Sequence, residues 1–221
     1  MTLRAVLRAA LFPALLSATA SVPATAADRA GEFDFYVLSL SWSPSYCEAE
    51  GKDANRLQCA SGRPFAFVVH GLWPQYERGW PRRCPTRERT WLSRGEVSPL
   101  LDIMPSPDLI FHEWREHGTC SGLSPEAYFT LLRRARERVR VPPAFARIDK
   151  YVMVSPKAVE AAFLKANPGL DPDEIAVTCD RRHLREVRFC LTRDLAFRTC
   201  PEVDRNACRA DRVVMPPIRG N

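Results

Sequence analysis

Ionisable side chains are concentrated in one short stretch, IFHEWREHGTCSG at residues 110–122, which contains two of the chain's four histidines. His112 and His117 are five residues apart, so they lie ~140° apart around an α-helix. Zinc-binding helices of the H-E-x-x-H type space their histidines four residues apart, which leaves only ~40° between them. The longer spacing argues against a zinc site, and we predict that the chain binds no metal ion and needs no cofactor.

Four ionisable residues share one face of the helix that this stretch predicts: His112, Glu113, Glu116 and His117. A face packed in the core would be apolar, and a solvated face would favour lysine and glutamate over histidine. The composition therefore indicates a function, with capping of a helix end by histidines as the structural alternative. Glu113 and His117 are four residues apart, so we expect the carboxylate to orient the imidazole and to favour its protonated form.

A third histidine, His70, follows the apolar run at 65–69, which is typical of a strand buried on both faces. We expect Gly71 to stop this strand, so that His70 lies at its C-terminal end. Two histidines on opposite sides of a reacting group can act as general base and general acid near neutral pH without a metal. This arrangement suits transfer at an RNA phosphodiester, where one group removes the 2′-hydroxyl proton and the other protonates the departing 5′-oxygen.

Two segments, FVVHGLWPQ and FHEWREHGTC, resemble the two active-site segments of the ribonuclease T2 family. SLSWSPSYC and the C-terminal cysteines also fit, so the resemblance to secreted bacterial members covers essentially the whole mature chain. It implies a metal-independent endoribonuclease that forms a 2′,3′-cyclic phosphate and then hydrolyses it to a 3′-phosphate. In the roles that it implies, His70 and His117 are the acid–base pair, His112 binds phosphate, and Glu113 orients a neighbour or polarises the transition state. Which histidine is the base in the first step stays open.

The resemblance also implies that Trp73 and its neighbours Gln75 and Tyr76 bind a base, although both aromatic residues could instead belong to the core. The chain departs from the family pattern at two positions. Gln75 stands where many members have an aspartate that reads the base. Glu116 stands where the family usually has a lysine, with Arg115 beside it, so we expect weaker stabilisation of phosphoryl charge unless Arg115 reaches round.

Eight cysteines, an even number, predict four disulfides in an oxidising compartment. The spacings are wrong for a structural zinc site, and the residues alone do not choose among the 105 pairings that eight cysteines allow. The resemblance implies one bridge from the long loop to the catalytic helix and two nested C-terminal bridges, with the last pair left over: Cys84–Cys120, Cys179–Cys208 around Cys190–Cys200, and Cys47–Cys59.

The first 26 residues predict a secretory signal peptide, with two arginines, a short apolar stretch and a small-residue site that ends at Ala26. A buried amphipathic helix is the alternative. Removing two arginines from a formal charge of +6 leaves 6 − 2 = +4 for residues 27–221, which we predict form one domain. This modest positive charge permits single-stranded RNA as a partner. We expect a secreted or periplasmic monomer that does not associate with membranes.

The order of elements predicts an α+β fold, with a central antiparallel sheet, helices packed around it and disulfides as staples. Strands are expected at 33–42, 65–69, IAVTC and LREVRFCLT, and helices from Pro107, Ser124 and Ser155. A loop is expected between Cys47 and Cys59, and an irregular segment at 75–107 with one short helix near 91–101. His183 has no motif around it and is expected at the surface.

Two functions compete with a ribonuclease. A non-catalytic RNA-binding protein on the same fold would explain Glu116 as a damaged motif, but the complete set of His70, His112, Glu113 and His117 argues against it. A zinc hydrolase is a distant third, because the histidine spacing does not suit one ion.

Overall fold

A four-stranded antiparallel sheet organises residues 28–220, the part of the chain that the computed structural model describes. The predicted signal peptide at 1–26 lies outside these described residues. The strand order is β2-β1-β5-β4, and β3 pairs with β6 in a separate two-stranded sheet. The strands are β1 (Phe35–Trp42), β2 (Phe67–Gln75), β3 (Val152–Val154), β4 (Ile175–Cys179), β5 (Leu184–Leu191) and β6 (Val213–Met215).

Helices surround the main sheet, so the predicted α+β class is confirmed. They are α1 (Ser43–Glu50), α2 (Arg56–Cys59), α3 (Arg94–Val97), α4 (Pro107–Glu116), α5 (Pro125–Arg138), α6 (Pro156–Ala166) and α7 (Pro201–Arg205). The predicted starts of α4, α5 and α6 are correct, because a serine hydroxyl accepts a hydrogen bond from the first turn of each helix and a proline follows it. Aromatic side chains from both layers fill the core, including Trp42, Trp114, Tyr128, Phe163 and Phe189.

The strand that carries His70 is longer than predicted and continues from Phe67 to Gln75. The expectation that Gly71 ends it was therefore wrong, and His70 lies in mid-strand. Ser39 on β1 pairs with Gly71, whereas the next residue, Leu40, pairs with Val69, so His70 is an extra residue opposite that step. A bulge of this kind bends the strand locally and re-aims the side chain of the extra residue. Strand pairing before and after the bulge holds His70 in place.

All four disulfides implied by the resemblance are present: Cys47–Cys59, Cys84–Cys120, Cys179–Cys208 and Cys190–Cys200. The Cα atoms of Cys84 and Cys120 are 4.9 Å apart, and their bridge ties the long loop that follows β2 to the turn after α4. The bridge consequently fixes the loop at Cys84 next to the end of the helix that carries the predicted catalytic residues.

Two further expectations need correction. The segment between Cys47 and Cys59 is not a loop, because α1 begins directly after β1 and α2 ends at Cys59. His183 is not a surface residue: it is buried, and its Nε2 lies 3.2 Å from the Glu48 carboxylate on α1. Glu48 is far from His183 along the chain, so no local pattern predicted this contact. Over residues 28–220, no helix has the length and apolar character needed to cross a membrane.

Candidate active site

His70 lies between two carboxylates at the bulge in β2. Its Nδ1 is in short contact with Glu186 Oε1 from β5, and its Nε2 is 3.7 Å from Glu113 Oε1 on α4. Burial alone would lower the pKa of His70, but the hydrogen bond and charge of Glu186, together with the charge of Glu113, raise it above the ordinary value of 6.5. The site therefore favours the protonated imidazolium at this position.

Glu113 is buried and directed towards β2. Its Oε2 accepts a 2.7 Å hydrogen bond from the Trp73 indole N–H, next to Gly71. A Cβ on Gly71 would lie only 1.9 Å from this carboxylate oxygen, so the close approach of helix and strand requires a glycine there. Burial raises the pKa of Glu113 to about 7, although the charge of His70 and the hydrogen bond from Trp73 oppose the rise. Glu113 thus supplies a partner for His70 and Trp73 rather than for His117.

The predicted Glu113–His117 contact was wrong because the helix ends one residue too early. Helix α4 stops at Glu116, and His117 is its C-cap, with φ −123° and ψ −46°. A side chain outside the helical conformation does not stack on the residue four positions before it. Gly118 then turns the chain against Trp114, whose ring a Cβ at that position would approach to 2.3 Å. The turn directs His117 towards Trp73, with 5.5 Å between ring centroids.

His117 has an environment opposite to that of His70. Its Nδ1 is buried and has no hydrogen-bond partner within residues 28–220. Burial lowers the pKa of His117 to about 4; the charge of Glu116 opposes this shift, whereas those of His112, His70 and Arg82 reinforce it. The imidazole is therefore neutral near pH 7, and a neutral imidazole accepts a proton.

Glu116 is buried and paired, which corrects the expectation of a free acid on the catalytic face. Its carboxylate lies 3.2 Å from Arg82 Nη2 and 2.5 Å from Arg83 Nη2, both from the long loop after β2. Burial would raise the pKa of Glu116, but hydrogen bonds from the two arginines lower it. The exposed neighbour Arg115 is not the partner. The carboxylate therefore anchors two loop guanidinium groups at the end of α4.

Glu116 and His117 border an open cleft of about 390 Å³, whose walls also include Trp73, Tyr76, Arg82, His112 and Arg188. Of the other predicted binding residues, Gln75 also lines the cleft, with its amide donating to the Pro74 carbonyl at 3.0 Å. Tyr76 is partly buried, and its hydroxyl donates to Asp28 at 3.2 Å. His70 borders a second hollow of about 270 Å³, which Glu186 also lines. His70 is therefore a wall of the second hollow, and its ring centroid lies 5.2 Å from that of Trp73, which lines the main cleft.

Sequence reasoning missed three residues of this region: Arg82, Glu186 and Arg188. Arg82 comes from a segment without periodicity, so no pattern identified it. Glu186 and Arg188 carried a weak signal, since they are charged residues two apart on one face of the mostly apolar strand β5. No group of three or more histidine, cysteine or acidic residues that could hold a metal ion occurs between residues 28 and 220.

Comparisons with known proteins show what this chain is similar to as a whole. A ribonuclease of Aeromonas hydrophila is 37% identical over 182 residues, which cover 81% of this chain and 81% of that protein. Ribonuclease I of Escherichia coli K12 is 28% identical, over 80% of this chain and 81% of its own length. The crystal structure of RNase NT in complex with 5′-AMP superposes with a TM-score of 0.65 at 25% identity, over 85% of this chain and all of that one.

The family-level match spans the same elements that build the cleft. The Ribonuclease T2 family model matches residues 33–200, a range that extends from just before β1 to the residue that precedes α7 and includes both histidine segments. The predicted resemblance is confirmed, and this chain belongs to the ribonuclease T2 family.

Proposed function

We propose that this protein is an endoribonuclease that cleaves single-stranded RNA by transphosphorylation and then hydrolyses the product. The observation that carries the proposal is that two histidines next to one tryptophan have their pKa values shifted in opposite directions. The ring centroid of Trp73 is 5.2 Å from that of His70 and 5.5 Å from that of His117. The surroundings favour the protonated form of His70 by raising its pKa, and they favour the neutral form of His117 by lowering its pKa to about 4. General acid–base catalysis needs both forms at the same pH.

In the first step, His117 is the general base and His70 is the general acid. Neutral His117 takes the 2′-hydroxyl proton, and the 2′-oxygen attacks the adjacent phosphorus. The bond from phosphorus to the 5′-oxygen breaks, and His70 gives its proton to that departing oxygen. The products are a 2′,3′-cyclic phosphate and a free 5′-hydroxyl. In the second step the roles reverse. His70 accepts a proton from a water molecule whose oxygen attacks the phosphorus, the bond from phosphorus to the 2′-oxygen breaks, and His117 gives its proton to that oxygen. The product carries a 3′-phosphate and a free 2′-hydroxyl.

Groups around His117, the general base, stabilise the negative charge on the phosphoryl oxygens. Arg82 and His112 both line the cleft beside His117. We assign Arg82 the role of the cation on this side, held at the cleft by the buried carboxylate of Glu116. Glu113, hydrogen-bonded to Trp73, polarises the transition state from the His70 side. Arg82 therefore supplies the positive charge that we expected the chain to lack, because Glu116 stands where the family usually has a lysine.

Base recognition is assigned to the aromatic wall of the main cleft. Trp73 and Tyr76 offer ring faces for stacking, and Gln75 offers an amide beside them. We assign the hollow that His70 lines to the nucleotide that follows the scissile bond. RNase NT, which is 25% identical to this chain, was solved in complex with 5′-AMP. That complex supports a nucleotide ligand for the present cleft.

Export is the second part of the proposal. We infer that residues 1–26 are removed as a signal peptide and that residues 27–221 act as one secreted or periplasmic monomeric domain. Four disulfides support this, because such bonds persist in oxidising compartments. The pairing of Glu116 with Arg82 and Arg83 supports catalysis over the alternative of a catalytically impaired RNA-binding protein, because that alternative rested on Glu116 as an unpaired acid.

The test uses a DNA oligonucleotide that contains one ribonucleotide, incubated with purified protein in EDTA. We expect a single cut directly 3′ of the ribose, with a 2′,3′-cyclic phosphate detected early by mass spectrometry, because the nucleophile is the 2′-oxygen of the substrate. The same oligonucleotide with a 2′-O-methyl group is the matched control and should stay intact. Cutting at deoxynucleotides, or activity lost in EDTA and restored by zinc, would overturn the mechanism. Binding without cleavage would favour the RNA-binding alternative.

A further inference from the structure

Glu186 is a buried acid that the mechanism above does not use. It lies on β5, two strands away from His70 on β2, and only 8% of its surface is exposed. Its Oε1 is in short contact with His70 Nδ1. Its Oε2 accepts hydrogen bonds from Arg188 Nε at 2.9 Å and Nη2 at 2.7 Å. Both oxygens of this buried carboxylate are therefore occupied by cationic partners.

Strand β1, which lies between Glu186 on β5 and His70 on β2, leaves room for the contact between these two side chains. Glu186 is directly opposite Ser41 on β1, and Arg188 is opposite Ser39. Neighbouring strands are about 4.8 Å apart, so side chains on β2 and β5 meet only across the residues of β1. Serine is small enough to let them pass, and the Ser41 hydroxyl lies 3.5 Å from Glu186 Oε1. Together with the bulge at His70, this gap lets the two side chains meet over the sheet.

The two carboxylates beside His70 differ in their contacts. Glu113 Oε1 is 3.7 Å from Nε2, beyond hydrogen-bond distance, and its Oε2 is used by Trp73. Glu186 binds Nδ1 directly and is paired with Arg188 as well. Burial would raise the pKa of Glu186, but His70 and Arg188 lower it to about 2. Glu186 is consequently the carboxylate that stays ionised, and Nε2 of His70 makes no hydrogen bond within residues 28–220.

We propose that Glu186, clamped by Arg188, is the positioning residue for His70: it holds Nδ1–H and thereby presents a protonated Nε2 to the leaving 5′-oxygen. This inference rests on the proposed function, in which His70 is the acid of the first step. Arg188 also connects Glu186 and His70 to the proposed base-binding residue Trp73, because its guanidinium carbon lies 5.1 Å from the centre of the Trp73 ring. A bound base and the acid are thus held by one continuous set of contacts.

Glu186→Gln is the primary test, since it keeps the size of the side chain and removes its charge. The groups that face His70 are Glu186 and Arg188 from β5, Glu113 from α4 and, more distantly, His117. Without the Glu186 charge, Arg188 and burial lower the pKa of His70. We expect kcat/KM on a dinucleotide to fall roughly 10- to 100-fold. We also expect the alkaline limb of its pH profile to move down by about one pH unit, because the acid loses its proton earlier.

Glu186→Asp and Glu48→Gln are the companion variants. Aspartate restores the charge at a shorter reach, so the alkaline limb should return towards that of the wild type while activity recovers only in part. Glu48→Gln removes the carboxylate that pairs with the other buried histidine, His183. It should leave the pH profile of cleavage unchanged, and it therefore controls for the general effect of losing a histidine–glutamate pair.

An NMR titration of the histidine ring protons tests the positioning role separately from catalysis. The His70 signal, assigned by its loss in His70→Asn, should titrate at lower pH in Glu186→Gln than in the wild type, whether or not RNA is cleaved. An unchanged His70 titration in folded Glu186→Gln would overturn the proposal, and so would a rate loss with an unmoved alkaline limb. A wild-type protein that cleaves no RNA but shows the predicted titration shift would refute the proposed function alone.

Discussion

The ring centroids of His70 and His117 both lie within 5.5 Å of that of Trp73, yet their surroundings shift their pKa values in opposite directions. His70 is between two carboxylates, and the pKa of its ring is raised. The acid nearest to His117, Glu116, is paired with two arginines, and the pKa of the His117 ring is lowered to about 4. Burial lowers the pKa of His117, whereas at His70 the two carboxylates outweigh the effect of burial, so identical side chains are suited to opposite roles.

The two regions also differ in how the backbone holds each ring. His70 is the bulged residue of a strand paired on one side with β1, which places it over the sheet near a side chain from β5. His117 is the residue that ends α4, fixed by the packing of Gly118 and by the nearby Cys84–Cys120 bridge. A bulge and a helix end both expose one side chain at an angle that regular structure does not offer.

The largest effect is expected from removing either histidine. His70→Ala and His117→Ala should each lose roughly 10²- to 10⁴-fold in the rate of cleavage, because each deletes one proton transfer. The double variant should lose little more than either single one, since the two rings act as one unit. Single-turnover cleavage of a short RNA measures all three. His183→Asn, outside the cleft, is the control and should lower the thermal midpoint without a comparable loss of rate.

Losses that multiply in the double variant would mean that the two histidines act independently. That result would contradict the view that they form one acid–base unit. Full activity in His70→Ala would remove the assignment of the acid altogether.

A smaller effect is expected from Glu116→Lys. The substitution puts a cation into a buried position between Arg82 and Arg83, so their guanidinium groups lose the partner that holds them at the cleft. We expect kcat/KM to fall about 10-fold and the thermal midpoint to drop. Glu137→Lys, the same charge change at an exposed position of α5, is the matched control and should do neither. A higher rate in Glu116→Lys would restore the damaged-motif hypothesis.

The smallest effect is a difference in how stability depends on pH. The pKa of His117 is depressed to about 4, so its contribution to stability is full above pH 6.5 and is lost as pH falls towards 4. The pKa of Glu113 is raised to about 7, so its contribution is full below pH 4.5 and is lost as pH rises through 7. The two contributions oppose each other between pH 4.5 and 6.5 in the wild-type protein.

Replacing His117 alone or Glu113 alone should therefore change the pH dependence of the free energy of unfolding in opposite directions. From pH 7 to pH 5, His117→Asn should gain stability relative to the wild type, and Glu113→Gln should lose it. Urea unfolding with the disulfides intact, repeated at several pH values, measures both slopes. Parallel curves for the two variants would contradict the opposite pKa shifts of the two sides.

Local sequence determined the elements and the reactive residue types of this protein. Serine–proline starts predicted α5 and α6, and an apolar run predicted the strand before His70, because capping and burial depend on neighbours in the chain. The two histidine motifs identified the family and the cleft residues. The four disulfide pairs followed from that resemblance and not from the spacing of the cysteines, which left the pairing open.

Only the tertiary structure decided the charge state and orientation of those residues. Glu186 reaches His70 across β1, and Arg82 reaches Glu116 from 34 residues away along the chain, so neither contact has a local signal. The prediction that Glu113 contacts His117, which rested on their four-residue spacing, failed because the helix ends at Glu116. A pKa depends on burial and on charges within a few ångströms in space, and residues that are distant in the sequence supply both.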